Sequence, residues 1–341
     1  MDTRRRISFN VNTGDTSGSI DTSNYMTIVA LEDGLTASLT TNACQYCIDG
    51  DGNWIDLPAV ATTQSINSGH TLSFKGNLTP VSPTGIGTFT ISKKCNLEGN
   101  CTSLLFGDDA ESDSLSGKNY AFCRLFWGCT TIIQVSESFL PATTLNDYCY
   151  HSMFYGCTSL TTAPELPATT LAGYCYRSMF YNCTSLTTAP ELHATKLASC
   201  CYRYMFNGCR KLNYIKMLAT DISTSYCLSA WVSGVSSTGT FVKHPNMTSL
   251  PSGNSGIPSG WTVYNDGEAP GGNLITFTID ETEYQAEEGM TWGEWVDSEY
   301  NTANYMFAQG NIWASASIIV RNIAPSDIIL NNGVYELWSM N

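Results

Sequence analysis

One pair of acidic residues is the first candidate for chemistry, because two carboxylates on neighbouring strands can act as acid and base. Glu165 and Glu191 occupy the same position in two nearly identical stretches that begin 26 residues apart. If these stretches lie side by side, the carboxylates fall in the range of separations that glycosidases use. The flanking copies carry Phe139 and Met217 there, and a catalytic pair needs two unlike environments. We therefore expect solvated glutamates, and polysaccharide hydrolysis is the enzymatic alternative.

A calcium loop is the second candidate, and it is incomplete. Asp49, Asp51 and Asn53 match its first three ligands, but Trp54 replaces the required glycine and Val60 stands where a bidentate glutamate belongs. The stretch instead favours a hairpin turn. No motif of a hydrolase nucleophile, zinc protease, phosphate loop or dinucleotide fold is present. We expect no catalytic residue, no metal and no cofactor.

The fourteen cysteines suggest either a metal site or a repeated buried position. A four-thiolate zinc site could combine the pairs Cys44/Cys47 and Cys95/Cys101, although the second spacing is wrong for a zinc ribbon. Seven others recur at two positions of a repeat: Cys157, Cys183 and Cys209 at one, and Cys149, Cys175, Cys201 and Cys227 at the other. Stacked units would align each set as a ladder of buried thiols, with disulfides as the alternative.

The middle of the chain is an internal repeat that must position these residues. Residues 157–182 and 183–208 are nearly identical, residues 129–156 form the same unit with two extra residues, and residues 209–234 keep only its outline. A half unit precedes them at 120–128, where Trp127 falls opposite Tyr155. One such unit cannot bury its apolar face alone, so we expect about four units to stack between atypical ends.

Each unit predicts an extended run followed by a short helix. Leu160, Ala163 and Leu166 lie on a short extended run broken by Pro164 and Pro167, which forbid a helix there. The next apolar residues, Cys175, Met179, Phe180 and Cys183, recur at i, i+4, i+5 and i+8, which is one face of a helix.

The string from Met153 to Leu171, MFYGCTSLTTAPELPATTL, resembles the BspA-type leucine-rich repeat of gut Bacteroidetes and their phages. The closing stretch from Ser233 to Val263 resembles such proteins as well. The unit is about three residues longer than usual, and Ala163 stands at an isoleucine position. The resemblance implies a solenoid that serves as a binding scaffold, and it names no ligand.

The flanking regions complete an α+β, mainly β chain. Residues 1–118 contain five or more short alternating runs separated by turns, which predict a β-sandwich-like domain. The leucine-rich repeats with their C-terminal cap occupy residues 119–265, and residues 266–272 form a linker. In residues 273–341, a hairpin from Ile275 to Ala286, a helix opened by the capping box at Thr291, and two later strands predict a small ββαββ-like module.

Binding is best indicated by the positions that vary between otherwise near-identical units. The candidate binding residues, which we expect on the exposed surface of the short helices, are His151, Tyr155, Arg177, Tyr181, Arg203, Tyr204 and Asn207. His151 shares its position with Arg177 and Arg203, which marks a tolerant surface site. Aromatic and hydroxyl-bearing rows suit sugar rings or a protein partner. Ordinary variation of a surface is the alternative.

Composition narrows the partners. The net charge of minus 14 makes nucleic acid a poor partner, and no apolar stretch is long enough for membrane insertion. We expect a non-enzymatic receptor-binding or structural component of a phage virion, such as a fibre. It would bind a bacterial surface glycan or protein and other virion proteins. The start at Met1 lacks a signal peptide, which favours the virion over the alternative of an extracellular, cell-surface adhesin of Bacteroidetes. A homotrimer would be usual for a fibre, although no heptad region enforces one.

Overall fold

The computed structural model describes residues 20–110 and 114–268, together with four strands that lie further along the chain. The chain divides into two compact units, Met1–Val263 and Tyr264–Asn341. It is mainly β with few helices, as the sequence predicts. Within the described residues, no helix is long and apolar enough to cross a bilayer.

The first unit begins with seven short strands, in agreement with the five or more short runs that the sequence predicts, although the sequence predicts no run at the seventh. They are β1 (Met26–Ala30), β2 (Ala37–Leu39), β3 (Cys44–Ile48), β4 (Ile55–Leu57), β5 (Thr71–Lys75), β6 (Phe89–Ile91) and β7 (Cys95–Gly99). Five of them join β8 (Ile132–Val135) in one sheet of order β4-β3-β5-β1-β7-β8, and β2 pairs with β6. Strand β1 is antiparallel to β5 and β7, whereas β8 is parallel to β7. The first repeat unit therefore continues the N-terminal sheet.

Helices are few and short in the described residues. The α-helix α1 spans Ser103–Phe106, and single 3₁₀ turns occupy Thr22–Asn24, Gly107–Asp109 and Glu137–Phe139.

The extended runs of the repeats lie next to one another at matching positions. Regular strands form only in the first and last units, as β8 and β9 (Tyr214–Met217), and the middle units make single parallel bridges at Thr162 and Thr188. Prolines interrupt the middle runs and remove backbone donors. Strand β9 begins the sheet β11-β10-β9 with β10 (Thr240–Lys243) and β11 (Thr262–Asn265). The predicted domain boundaries, which follow residues 118, 265 and 272, stay predictions.

The predicted helices of the repeat units are wrong. In their place each unit has a chain of consecutive turns in which about every fourth residue has a positive φ, as at Tyr148 (60°), Ser152 (55°) and Gly156 (73°). The amide of His151 donates to the carbonyl of Tyr148, three residues back, and the amide of Tyr150 donates to Cys175 in the next unit. A helix would need every amide to bond four residues back within its own segment. A four-residue turn period brings the same apolar positions inward, so the spacing alone does not distinguish the two structures.

Columns of identical side chains fill the core of the repeats. The ring centroids of Phe154 and Phe180 lie 5.7 Å apart with nearly parallel planes, and those of Phe180 and Phe206 repeat this spacing. All fourteen cysteines are free and buried. The thiols of Cys183 and Cys209 donate to the carbonyl oxygens of Phe154 and Phe180 in the preceding unit, at 3.1 and 2.9 Å. The thiol ladder predicted from the repeat is therefore confirmed.

The second unit contains a sheet of order β13-β12-β15-β14. Its strands are β12 (Leu274–Ile279), β13 (Thr282–Glu287), β14 (Ile318–Val320) and β15 (Tyr335–Leu337). The pairing of β12 with β13 is antiparallel, which confirms the predicted hairpin. Strand β15 runs parallel to both β12 and β14. The helix predicted at Thr291 lies outside the described residues.

Candidate binding surface on the turn segments

The turn segments of successive units form one side of the repeat region, which we call the turn face. They are the ten-residue stretches 120–129, 148–157, 174–183, 200–209 and 226–235. These stretches contain no aspartate or glutamate, although the chain has 30 acidic residues. Their basic and titratable side chains include Arg124, His151, Arg177 and Arg203. The turn face is therefore a region free of acidic side chains on an acidic protein.

Backbone hydrogen bonds fix the register of the turn face. Between the second and third segments, the amides of Tyr148, Tyr150 and Ser152 donate to Gly173, Cys175 and Arg177 at 2.9–3.0 Å. The intervening amides donate three residues back within their own segment. Because each segment is bonded to its neighbour at every second residue, side chains at equal positions lie directly beside one another.

Two aromatic rows lie on the turn face. In the first, the rings of Tyr120, Tyr148 and Tyr174 stack with centroids 4.6 and 4.5 Å apart. In the second, Tyr155 and Tyr181 stack at 4.6 Å with parallel planes, and the ring of the half-exposed Trp127 lies nearly perpendicular to that of Tyr155, with centroids 5.7 Å apart. Ring faces inside a stack cover one another. Each row therefore presents mainly ring edges and phenolic hydroxyl groups.

Basic side chains accompany the aromatic rows, and we call Arg124, His151, Arg177 and Arg203 the basic strip. The guanidinium carbon of Arg124 lies 4.7 Å from the ring centre of Trp127. Arg177 lies 5.7 Å from the ring centre of Tyr174. These are cation–π contacts, which hold a guanidinium without neutralising its charge.

Arg203 is held in a similar way at the far end of the basic strip. Its guanidinium carbon lies 4.8 Å from the ring of Tyr204 and 5.5 Å from that of Tyr226, and it donates a hydrogen bond to the Tyr204 hydroxyl at 3.1 Å. Within the described part of the chain, no arginine of the basic strip lies within 4.0 Å of a carboxylate. Asp147, which borders the turn face, accepts a hydrogen bond from the amide of Gly173 at 2.8 Å.

His151 is packed between two of these cations. Burial, followed by the charges of Arg177 and Arg124, lowers the pKa of its imidazole from 6.5 to about 4. Its Nδ1 lies 3.5 Å from the thiol of Cys123, and burial raises the pKa of that thiol to about 11. Both groups are therefore neutral at neutral pH, and they do not form the thiolate–imidazolium pair of a cysteine nucleophile.

The structure brings the sequence-predicted binding residues onto one surface. His151, Arg177 and Arg203 form one row, Tyr155, Tyr181 and Asn207 another, and Tyr204 adjoins Arg203. The predicted position on helices is wrong, because the segments are turns, and His151 is mostly buried where a tolerant surface site was expected.

The sequence reasoning did not assign binding to five members of the turn face: Tyr120, Arg124, Trp127, Tyr148 and Tyr174. Three of them lie in the half unit at 120–128, whose alignment with the repeat is the signal that could have found them. Tyr148 and Tyr174 are the same residue in both units, so a search for varying positions passes over them.

Glu165 and Glu191 lie outside the turn face. A carboxylate oxygen of Glu191 is 3.1 Å from Nζ of Lys216 and 3.5 Å from Nδ1 of His193. A lysine ion pair is unlike the apolar setting that keeps a general acid protonated.

The candidate metal ligands are engaged elsewhere or are too few to form a site. The carboxylate of Asp49 lies 2.6 Å from Nδ1 of His70 and accepts a hydrogen bond from the amide of Thr71, while Asp51 bonds to Asn53. Among the described residues, no three histidine, cysteine, aspartate or glutamate side chains come together as a metal-binding group.

Comparisons of the chain with protein-family models, with curated proteins and with solved structures gave no match. These comparisons therefore assign no function to the chain. The functional proposal rests on the geometry of the turn face.

Proposed function

We propose that the protein is a non-enzymatic binding protein that recognises a bacterial surface glycan or protein through its turn face. The observation that carries the proposal is the basic strip. Its guanidinium groups lack an acidic partner in the described residues and adjoin two aromatic rows on a surface without acidic side chains. Arginine and tyrosine are enriched at the energetic centres of interfaces.

The proposed scaffold is a BspA-type leucine-rich-repeat solenoid between an N-terminal β-sandwich-like domain and a small ββαββ-like module. The regular lateral hydrogen bonds between units 26 residues apart support a solenoid, since each unit contacts its neighbours in the same way. The consecutive turns are a further departure from the usual repeat, beside the longer unit. A rigid array of this kind holds equal side chains in straight rows.

The proposed setting is a phage virion, where the protein would act as a fibre or other appendage, contact further virion proteins and form a homotrimer. The resemblance of the repeat to proteins of gut Bacteroidetes and their phages supports this setting. A cell-surface adhesin of Bacteroidetes would use the same turn face. Immunogold electron microscopy with an antibody to this protein separates the two, because it labels either particles or cell envelopes.

Binding to intact bacteria tests the proposal. Fluorescently labelled protein is incubated with a panel of gut Bacteroidetes strains and measured by flow cytometry. We expect saturable binding to a subset of strains and a loss of at least tenfold in apparent affinity for the double variant Tyr155→Ala/Tyr181→Ala.

The matched control is Thr144→Ala/Thr170→Ala, which removes two exposed side chains from equal positions of successive units away from the turn face. Circular dichroism and thermal denaturation confirm that all variants fold. Equal loss in the control and the turn-face variant, or binding that neither affects, would contradict the proposal.

A further inference from the structure

We propose that the basic strip binds an acidic glycan, that is, a polysaccharide whose sugars carry carboxylate groups. The inference rests on the proposed function and names the class of its ligand. Three guanidinium groups, those of Arg124, Arg177 and Arg203, lie on the first, third and fourth of the stacked turn segments, with His151 on the second, and these segments contain no acidic side chains. A ligand with regularly spaced carboxylates can meet several of them at once.

The charge distribution is the first argument. The chain has a net charge of minus 14, and repulsion would keep an acidic polymer away from most of its surface. The turn face is the exception, because its segments contain arginine and no aspartate or glutamate. An acidic polymer would therefore be directed to this face, whereas a neutral glycan gains no charge–charge attraction from the guanidinium groups.

The packing of the arginines is the second argument. The Nε atoms of Arg177 and Arg203 are buried without a hydrogen-bond partner. A buried donor without an acceptor lowers the stability of the fold. A local cost of this kind is expected where function requires the residue. The guanidinium fork suits carboxylates, which accept two parallel hydrogen bonds from it.

The aromatic rows favour a glycan over an acidic peptide. Their rings cover one another at 4.5–4.6 Å, so no ring face within a stack is open to an apolar side chain. The turn amides bond within or between units, which excludes addition of a peptide strand along them. Phenolic hydroxyl groups remain, and they exchange hydrogen bonds with sugar hydroxyl groups.

Equilibrium binding to defined polymers tests the inference. The probes are polygalacturonate, the same polymer after chemical reduction of its carboxyl groups to alcohols, and poly-L-glutamate, each measured by isothermal titration calorimetry. We expect the wild-type protein to bind polygalacturonate at least tenfold more tightly than either other polymer, and to lose affinity as salt rises. The variant Arg177→Gln/Arg203→Gln should bind polygalacturonate at least tenfold more weakly.

The matched control is Lys196→Gln, which removes an exposed cation that pairs with Asp221 outside the turn face. It should bind like the wild type. Equal binding of the reduced polymer, tighter binding of poly-L-glutamate, absence of polygalacturonate binding, or equal losses in Lys196→Gln and the arginine variant would each overturn the acidic-glycan inference. Cell binding that depends on Tyr155 and Tyr181 would survive those results, so the two proposals fail separately.

Discussion

Tyr150 and Tyr176 carry hydroxyl groups into the fully buried column of rings, where neither hydroxyl has a hydrogen-bond partner. Their ring centroids lie 5.7 Å apart, too far for the hydroxyls to bond each other across parallel rings. We predict that Tyr176→Phe raises the free energy of unfolding by about 1–2 kcal/mol, because it removes an unsatisfied buried group and keeps the ring. Urea denaturation followed by tryptophan fluorescence measures the change.

Tyr46→Phe is the control for this prediction. Tyr46 is also buried, but its hydroxyl accepts a hydrogen bond from the amide of Gln64 at 3.1 Å. This substitution should lower the free energy of unfolding by about 1 kcal/mol. The account of the buried column is wrong if both variants are destabilised equally.

His151 should make the stability of the protein depend on pH. Its pKa falls from 6.5 to about 4 on folding, so the unfolded chain takes up the proton first as the solution is acidified. Stability is therefore lost as pH falls from about 6.5 to about 4, by up to about 3 kcal/mol at 1.36 kcal/mol per pH unit. The groups that face the imidazole are Arg124, Arg177, the neutral thiol of Cys123 and the ring of Tyr148.

Urea denaturation at several pH values measures this effect as the difference between the wild type and His151→Asn. Carboxylates contribute equally to both proteins, so the difference isolates the imidazole. NMR titration should show an imidazole that protonates near pH 4. A His151 signal that titrates near pH 6.5 would contradict the packing described for the basic strip.

At the scale of elements, the turn segments have a structure that the spacing of their apolar residues does not predict. Strands β1, β3 and β5 follow from short extended runs between turn clusters, and each of them buries residues on both faces. The spacing of Cys175, Met179, Phe180 and Cys183 fits a helix and a chain of four-residue turns equally well. Hydrogen bonds between units decide for turns, and such non-local bonds leave no signal within a single unit.

The thiol ladder is a property of these elements and predicts how the cysteines react. Burial raises the pKa of Cys149 and of Cys209 to about 12, and the thiolate is the reactive form. We predict that iodoacetamide labels the native protein slowly and labels all fourteen cysteines in non-reducing denaturant, as counted by mass spectrometry. Rapid labelling of the native protein, or a majority of cysteines that stay blocked in denaturant, would contradict the ladder.

The last turn segment closes the aromatic columns of the core. Trp231 packs against Tyr202 and Phe206, and its indole nitrogen donates to the carbonyl of Gly256 at 2.8 Å. We predict that Trp231→Ala lowers the free energy of unfolding by about 3–5 kcal/mol, the range for truncating a buried large aromatic side chain. Thermal and urea denaturation measure the loss. A loss below about 1 kcal/mol would show that the columns do not need this cap.

At the scale of the whole molecule, the sequence predicts the repeat, its period and the membership of the main rows. It does not predict that these rows lie on turns, that His151 is packed between two arginines, or that Arg124 extends the basic strip. Those features depend on the lateral register of the units, which hydrogen bonds between distant residues set. The absence of acidic residues from the turn segments is visible in the sequence. It indicates a binding surface only because the structure places these segments side by side on one face.

The central claim is that the turn face is the surface that contacts the ligand. Arginine-selective labelling with phenylglyoxal, read by peptide mass spectrometry, tests it most directly on protein mixed with surface polysaccharide from a bacterial strain to which it binds. We predict that the polysaccharide protects Arg124, Arg177 and Arg203 and leaves the labelling of Arg210, an exposed arginine outside the turn segments, unchanged. Protection of Arg210 with none on the turn face, or no protection of any arginine in a saturated complex, would contradict the account.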